Sequence, residues 1–80
     1  MKRNEILTIM RFMDKYCGKT VRFKDLPADE QYAFVLTDQY NFHSKIVSSK
    51  EAIDRAVRNA NSHKKNGYEI YSNKSLKITK

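Results

Sequence analysis

The stretch that decides the fold covers residues 48–78 and reads SSKEAIDRAVRNANSHKKNGYEIYSNKSLKI. Ser48 and Glu51 form the S-x-x-E pattern of a capping box, in which each side chain satisfies a backbone N–H at the start of a helix. Gly67 follows two lysines that suit the negative C-terminal end of a helix, and glycine readily adopts the left-handed conformation that ends one. These signals predict a helix over residues 48–65.

This helix has a narrow apolar side and a wide polar side. Small and aliphatic residues recur at the spacing of one helical face, which predicts that this face is buried. They are Ala52, Ile53, Ala56, Val57 and Ala60. The outward positions carry Lys50, Asp54, Arg55, Arg58, Asn59, Asn61 and Ser62, and the last turn adds Lys64 and Lys65. The outward face is the part of this helix that could carry a function.

Residues 68–79 predict a β-hairpin. Alternation assigns one face of each strand to the core, and the apolar residues on those faces are Tyr68, Ile70, Leu76 and Ile78. Residues 72–75 have the composition of a turn, with an asparagine, a lysine and two serines. Tyr71 falls on the opposite face of the first strand, where its ring could stack on a nucleic-acid base.

The chain before this stretch begins with a predicted helix and a short predicted strand. Apolar residues spaced by three and by one over residues 4–17 indicate one face of a helix, which Gly18 ends. Cys17 belongs to that apolar pattern, so we expect its thiol to be buried. Alternation over residues 21–24 predicts a strand that is too short to stand alone. The hairpin would supply its partners and give a three-stranded antiparallel sheet.

A second helix is predicted over residues 25–42. Pro27 suits the first turn of a helix, and the acidic residues that follow it favour the positive end of the helix dipole. The aromatic and β-branched residues at 32–37 also permit a strand, but the helix signals are the more specific. Residues 41–47 connect this helix to the next one. The apolar residues of this region that we expect to reach the core are Phe42, Ile46 and Val47.

The charge of the chain is unevenly distributed. The formal net charge is +7 over 80 residues. Residues 1–42 hold seven basic and six acidic side chains, whereas residues 43–80 hold nine basic and three acidic ones. A one-sided positive excess on structured elements is typical of nucleic-acid binding, although a basic face that is merely solvated is the simpler alternative.

Other classes of protein are disfavoured by the sequence. We expect no enzyme, because no nucleophile–base order, glycine-rich phosphate loop or paired carboxylate motif is present. We also expect no cofactor and no metal, because His43 and His63 lack the neighbours of a metal site. No apolar run approaches the roughly 20 residues that cross a bilayer, and the N-terminus lacks the apolar block of a signal peptide. The expected location is therefore cytoplasmic.

The predicted order of helix, strand, helix, helix and hairpin describes an α+β fold and resembles a winged helix-turn-helix domain. Residues 48–78 are similar to the biotin-repressor type, in which a Ser-capped recognition helix ends at a Gly and is followed by a strand, a wing turn and a second strand. The stretch GKTVRFKDL (18–26) resembles the join between the first helix and the second in that family. The resemblance implies one winged-helix domain over residues 1–80. Both the third helix and the connector before it are longer than is usual in that family.

The resemblance also implies which residues would bind nucleic acid. The third helix would enter the major groove, with Arg55 and Arg58 at guanine edges or phosphates. The wing would contact the adjacent DNA backbone or the minor groove through Asn73, Lys74 and Lys77. The complete set implied by the resemblance is Lys50, Arg55, Arg58, Asn59, Asn61, Lys64, Lys65, Asn73, Lys74 and Lys77.

The leading hypothesis is a DNA-binding transcriptional regulator or accessory factor. One alternative is an RNA-binding protein that uses the same basic face on backbone and shape. A second is an inhibitor or adaptor that docks on an acidic surface of a host protein, since small basic single-domain proteins are typical of phages and mobile elements. A small footprint on DNA favours a homodimer or another partner, and the apolar first helix is the candidate contact.

Overall fold

The computed structural model has three helices and a small antiparallel sheet. It describes the backbone of residues 2–42 and 50–79 and the side chains of residues 4–40, 51 and 53–79. The helices are α1 (Lys2–Lys15), α2 (Ala28–Phe42) and α3 (Lys50–Lys65), and the strands are β1 (Thr20–Arg22) and β2 (Ser75–Lys77). Short 3-10 helices cover Phe23–Asp25 and Glu69–Tyr71. The chain thus has an α+β fold.

The two strands pair with each other, so that the short β1 has the partner strand it needs. Val21 of β1 lies opposite Leu76 of β2 in an antiparallel register. The pairing continues past the strand end, because the backbone N–H of Gly18 donates to the carbonyl of Ile78 at 2.8 Å and the N–H of Ile78 donates to the carbonyl of Lys19 at 2.9 Å. The prediction that the C-terminal residues would supply a partner for β1 is confirmed.

The prediction that residues after Gly67 form the first strand of a hairpin is wrong. Helix α3 ends in a Schellman motif, in which the N–H of Gly67 donates to the carbonyl of Lys64 at 3.2 Å and the N–H of Tyr68 donates to that of His63 at 2.9 Å. Gly67 has a φ of 91° and Tyr68 one of 58°, so two successive left-handed residues turn the chain into a 3-10 helix. The described residues therefore form a two-stranded sheet without a hairpin.

The 3-10 helix reverses the assignment of two side chains. In a strand, alternate residues share a face, whereas in a 3-10 helix residues i and i+3 do. Tyr71 is therefore buried, with 1% of its surface exposed, and packs on the same side as the half-buried Tyr68. Ile70, which was assigned to the core, is 69% exposed. The prediction that the ring of Tyr71 could stack on a base is wrong.

Helix α2 is the centre of the molecule. Residues 33–37 are five consecutive buried positions, so this helix is covered on all sides. It packs against both α1 and α3. A helix that is apolar all round lacks a clear periodicity, which explains why residues 32–37 also permitted a strand. The structure confirms the helix.

Helix α1 covers one side of this core with Ile9 and Phe12. The helix ends at Lys15, so Cys17 lies in the turn that follows it and is exposed. The expectation of a buried thiol is wrong for that reason. On the outer side of α1, Met10 is 54% exposed and Leu7 is also open to solvent. That α1 forms a homodimer or contacts another protein stays a prediction.

Several predicted features lie outside the described residues. These are the cap at Ser48, the connector residues His43, Ile46 and Val47, and the side chains of Phe42, Lys50 and Ala52. In the described part of the chain, no helix has the length and apolar character needed to span a membrane.

Aromatic side chains join the C-terminal segment to the rest of the core. The ring of Tyr71 lies 5.9 Å from that of Phe23, 6.3 Å from that of Phe34 and 5.3 Å from the imidazole of His63, measured between centroids. Its hydroxyl accepts a hydrogen bond from Nε2 of Gln39 at 2.6 Å. Tyr71 therefore contacts α2, α3 and the segment after β1 at once.

Replacing Tyr71 tests this role. We expect Tyr71→Ala to lower the free energy of unfolding by about 3–5 kcal/mol, as for other buried aromatic residues. Tyr71→Phe should cost about 1 kcal/mol, because it removes only the hydroxyl. The matched control is Ile70→Ala, which should change stability by less than about 0.5 kcal/mol since its side chain is exposed. Urea unfolding measures all three, and equal losses at residues 70 and 71 would contradict the fold.

Candidate nucleic-acid interface

The side of α3 that faces away from the core is basic. Arg55, Arg58, Ser62 and Lys65 are exposed and spaced by three and four residues, so they lie within about 80° of the helix circumference. The buried positions of the same helix, Ile53, Ala56 and Ala60, lie on the opposite side. We call the four exposed residues the α3 outer face.

The two arginines of the α3 outer face are available to a ligand. Among the described residues, neither Arg55 nor Arg58 forms a hydrogen bond or an ion pair. The nearest acidic residues on the helix are the exposed Glu51 and the half-buried Asp54. Guanidinium groups carry five N–H donors in a planar fork that matches phosphates and guanine edges. The α3 outer face can therefore bind an anion without first breaking a described contact of either arginine.

Asn59 does not belong to the α3 outer face. Its Nδ2 donates a hydrogen bond to Oε1 of Gln39 at 3.2 Å, and the Nε2 of Gln39 donates to the hydroxyl of Tyr71. Asn59 is half-buried for this reason. Its amide fixes α3 against α2, and the structure does not bring it to the surface that the resemblance would place in the major groove.

The other basic residues of α3 take different directions. Asn61 is exposed at the border of the α3 outer face, whereas the ammonium of Lys64 lies 5.1 Å from the ring centroid of Tyr32 on α2. Lys64 thus points around the helix, away from Arg55 and Arg58. The side chain of Lys50, at the start of α3, lies outside the described residues.

The residues predicted to form the tip of a wing are also separated. Asn73 lies exposed in the turn before β2, and Lys77 is exposed on β2 opposite Thr20. Lys74 instead extends toward α2, where its Nζ lies 3.2 Å from Oδ2 of Asp38 and 5.5 Å from the ring centroid of Tyr71. Because Asp38 offsets its charge, Lys74 is less available to an anion than an unpaired lysine would be.

A second candidate surface is a cleft between α1, α2 and the end of α3. It has a volume of about 580 Å³ and is open to solvent. We call it the α1–α2 cleft. Its apolar lining comes from Phe12, Tyr32 and Ala33, and its basic lining from Arg11, Lys15 and Lys64. Asp29 and Glu30, in the first turn of α2, supply its carboxylates.

One wall of the α1–α2 cleft is a charged network. The Nζ of Lys15 lies 2.5 Å from Oε2 of Glu30, and the hydroxyl of Tyr16 donates to Oε1 of Glu30 at 2.6 Å. The hydrogen bonds from Lys15 and Tyr16 lower the pKa of the Glu30 carboxyl. The same contacts raise the pKa of Lys15, chiefly through the bond to Glu30. Lys15 is therefore already neutralised by a partner.

Sequence reasoning missed this cleft. Arg11, Tyr32 and Lys64 come from three helices, and no spacing in the sequence connects them. Only the packing of α1 on α2 and the direction of Lys64 bring them together. Within the described residues, no group of three histidine, cysteine or acidic side chains could hold a metal ion.

Comparisons with protein-family models, with curated protein sequences and with solved structures found no match. The two candidate surfaces are therefore defined by the geometry of this chain. The resemblance of residues 48–78 to a winged helix stays a prediction.

The Glu30 network predicts a pH dependence of stability. Because the pKa of Glu30 is lowered in the folded chain, its bonds contribute fully above the unfolded value of about 4.3 and are lost as the pH falls through the folded pKa. Glu30→Gln should unfold at a lower urea concentration than the wild type at pH 7, and the two should converge below about pH 4. The control is Asp25→Asn, an exposed carboxyl on the 3-10 helix before α2. A Glu30→Gln deficit that is independent of pH would contradict the network.

Proposed function

We propose that this protein binds nucleic acid through the α3 outer face and that its preferred ligand is duplex DNA. The observation that carries the proposal is the placement of Arg55, Arg58 and Lys65 on one exposed side of a helix, with no described ion pair at either arginine. Three basic side chains on one side of a helix can neutralise several phosphates of a duplex at once. The basic excess of residues 43–80 supports the same conclusion.

In this proposal α3 acts as the recognition helix of a small winged-helix-type domain. Arg55 and Arg58 would contact guanine edges or phosphates, and a bidentate arginine–guanine pair discriminates among bases. Near the end of α3, further contacts to the DNA backbone would come from Asn61, Ser62 and Lys65. The backbone contacts would set the position of the domain, and the arginines would carry any sequence preference.

The wing in this proposal is shorter than the resemblance implies. Because Glu69–Tyr71 forms a 3-10 helix, the segment between α3 and β2 folds back onto the core through Tyr71. Asn73, Lys74 and Lys77 stay exposed on this side. Lys77 is the better phosphate ligand of the basic pair, because Asp38 already contacts Lys74.

A transcriptional regulator or an accessory factor is the role that fits such a domain. An RNA-binding protein, or an adaptor for an acidic host protein, would use the same α3 outer face. Binding assays with duplex DNA, duplex RNA and an acidic protein surface separate these functions, because the positive face alone does not choose among them.

The first test removes the two arginines. Arg55→Ala/Arg58→Ala should fold normally, since both side chains are exposed, and should weaken binding to duplex DNA by at least about tenfold. The slope of log K against log salt should become shallower by about two, because two side-chain cations that contact the DNA are removed. Fluorescence anisotropy with a labelled duplex over a salt series measures both.

The matched control for the arginine pair is Lys19→Ala/Lys24→Ala. Both lysines are exposed, and their removal lowers the net charge by the same amount at a different place. This variant should retain most of the affinity. An equal loss in the two double variants would show binding through overall charge and would contradict a site on α3.

The second test compares the two lysines beside β2. Lys77→Ala should weaken DNA binding and lower the salt slope by about one, with unchanged stability. Lys74→Ala should affect binding less, because its ammonium contacts Asp38 and lies over Tyr71. The same anisotropy assay, with urea unfolding beside it, measures the difference, and a larger binding loss for Lys74→Ala would contradict the proposed path of the nucleic acid.

A further inference from the structure

The α1–α2 cleft has a lining that the proposed function leaves unused. At about 580 Å³ it lies in the size range of sites for small organic ligands, about 300–1,000 Å³. Three helices contribute to it, so its shape depends on the fold rather than on one flexible loop. Phe12 is buried, Ala33 is buried and Tyr32 is half-buried, so the cleft has an apolar and aromatic floor.

The charges in the cleft divide into a satisfied pair and three available groups. Lys15 and Glu30 neutralise each other across one wall. Within the described residues, Arg11 and Asp29 form no hydrogen bond or ion pair, and the ammonium of Lys64 lies over the ring of Tyr32 without an ion pair. The open charges are therefore two cations and one carboxylate.

This combination fits a nucleotide better than a simple anion. An inorganic phosphate would be attracted by Arg11 and Lys64 but repelled by Asp29. A nucleotide has an anionic phosphate for the two cations and a flat base for the aromatic floor. In adenine, guanine and cytosine, the base also carries an amino group that can donate a hydrogen bond to the carboxylate. Each open group of the cleft then meets a complementary part of one ligand.

The cleft lies beside the last turn of α3, about 100° around the helix from Lys65 on the α3 outer face. Lys65 lies on that face, and Lys64, its neighbour in the sequence, points into the cleft and covers the ring of Tyr32. A strand that follows the basic side of α3 would reach Lys64 at the end of the helix. An aromatic peptide with a free carboxylate has similar chemistry, but it would make no use of the described cations on the α3 outer face.

We propose that the α1–α2 cleft binds a single unpaired nucleotide, with its base against Tyr32 and its phosphate between Arg11 and Lys64. A base that stacks on Tyr32 would displace the ammonium of Lys64 from the ring and leave it free to pair with the phosphate. This inference rests on the proposed function, because the nucleotide would be part of a longer nucleic acid. It deepens that function by giving the protein a site for a strand end or for a base that has left its stack.

The test uses AMP as the probe and saturation-transfer NMR titration as the readout. Tyr32→Ala should weaken AMP binding by about tenfold, whereas Tyr32→Phe should stay within about twofold because the ring is kept. Lys64→Ala should weaken AMP binding severalfold, whereas Lys65→Ala, which removes the same charge from the neighbouring lysine, should not. Adenosine and inorganic phosphate, each alone, should bind more weakly than AMP.

Several results would overturn the inference. They are AMP binding that Tyr32→Ala leaves intact, equal losses for Lys64→Ala and Lys65→Ala, phosphate that binds as well as AMP, and a phenylalanine-terminated tripeptide that binds more tightly than AMP. Tyr32→Phe keeps the aromatic ring, and Lys64→Ala changes an exposed side chain, so we expect both variants to fold and the test does not depend on Tyr32→Ala alone.

Failure of this inference and failure of the proposed function are separable. Arg55→Ala/Arg58→Ala should lose duplex binding and retain AMP binding. If that variant retains both, the α3 outer face is not the duplex site while the cleft still binds a nucleotide. If it loses duplex binding and no variant of the cleft affects AMP, the cleft inference fails while the proposed function stands.

Discussion

The hydrogen-bonded chain from Tyr71 through Gln39 to Asn59 is the contact on which the rest of the structure depends. The hydroxyl of Tyr71 accepts from the amide of Gln39, whose carbonyl oxygen accepts from Asn59. The chain joins the 3-10 helix before β2 to the last turn of α2 and to the middle of α3. Because a buried polar group costs free energy when it lacks a partner, these three residues favour one relative position of the three elements.

That position decides which side of α3 meets solvent. Ala56 and Ala60 let the helix lie close to α2, and Asn59 fixes its rotation. Arg55 and Arg58 are then left on the opposite side. The proposed nucleic-acid interface is thus a consequence of core packing, and a change at Gln39 or Tyr71 would affect binding through the orientation of α3 as well as through stability.

Much of the fold could be predicted from local signals with a single physical meaning. Gly67 ends α3 because its backbone adopts a positive φ, and the small residues at positions 56 and 60 mark the buried side of the helix. The segment 68–71 could not be predicted in the same way. Over four residues, an apolar spacing of two and one of three are both present, and only the two left-handed residues 67 and 68 select the 3-10 helix.

The candidate site was predictable to a similar degree. Arg55 and Arg58 follow from the periodicity of α3, whereas the engagement of Asn59 with Gln39 and of Lys74 with Asp38 depends on contacts between residues 20 and 36 positions apart. The α1–α2 cleft depends on the packing of three helices, which no local pattern encodes. Long-range contacts therefore decide which basic residues of this chain are open to a partner.

The most direct test of the central claim is a titration of the ¹⁵N-labelled protein with duplex DNA, followed by the backbone amide shifts. We predict that the largest shifts fall on the α3 outer face, at Arg55, Arg58, Ser62 and Lys65, with small shifts at Ile53 on the buried side of the same helix. Shifts that are absent, or that concentrate away from α3 on the exposed side of α1 around Leu7 and Met10, would contradict it.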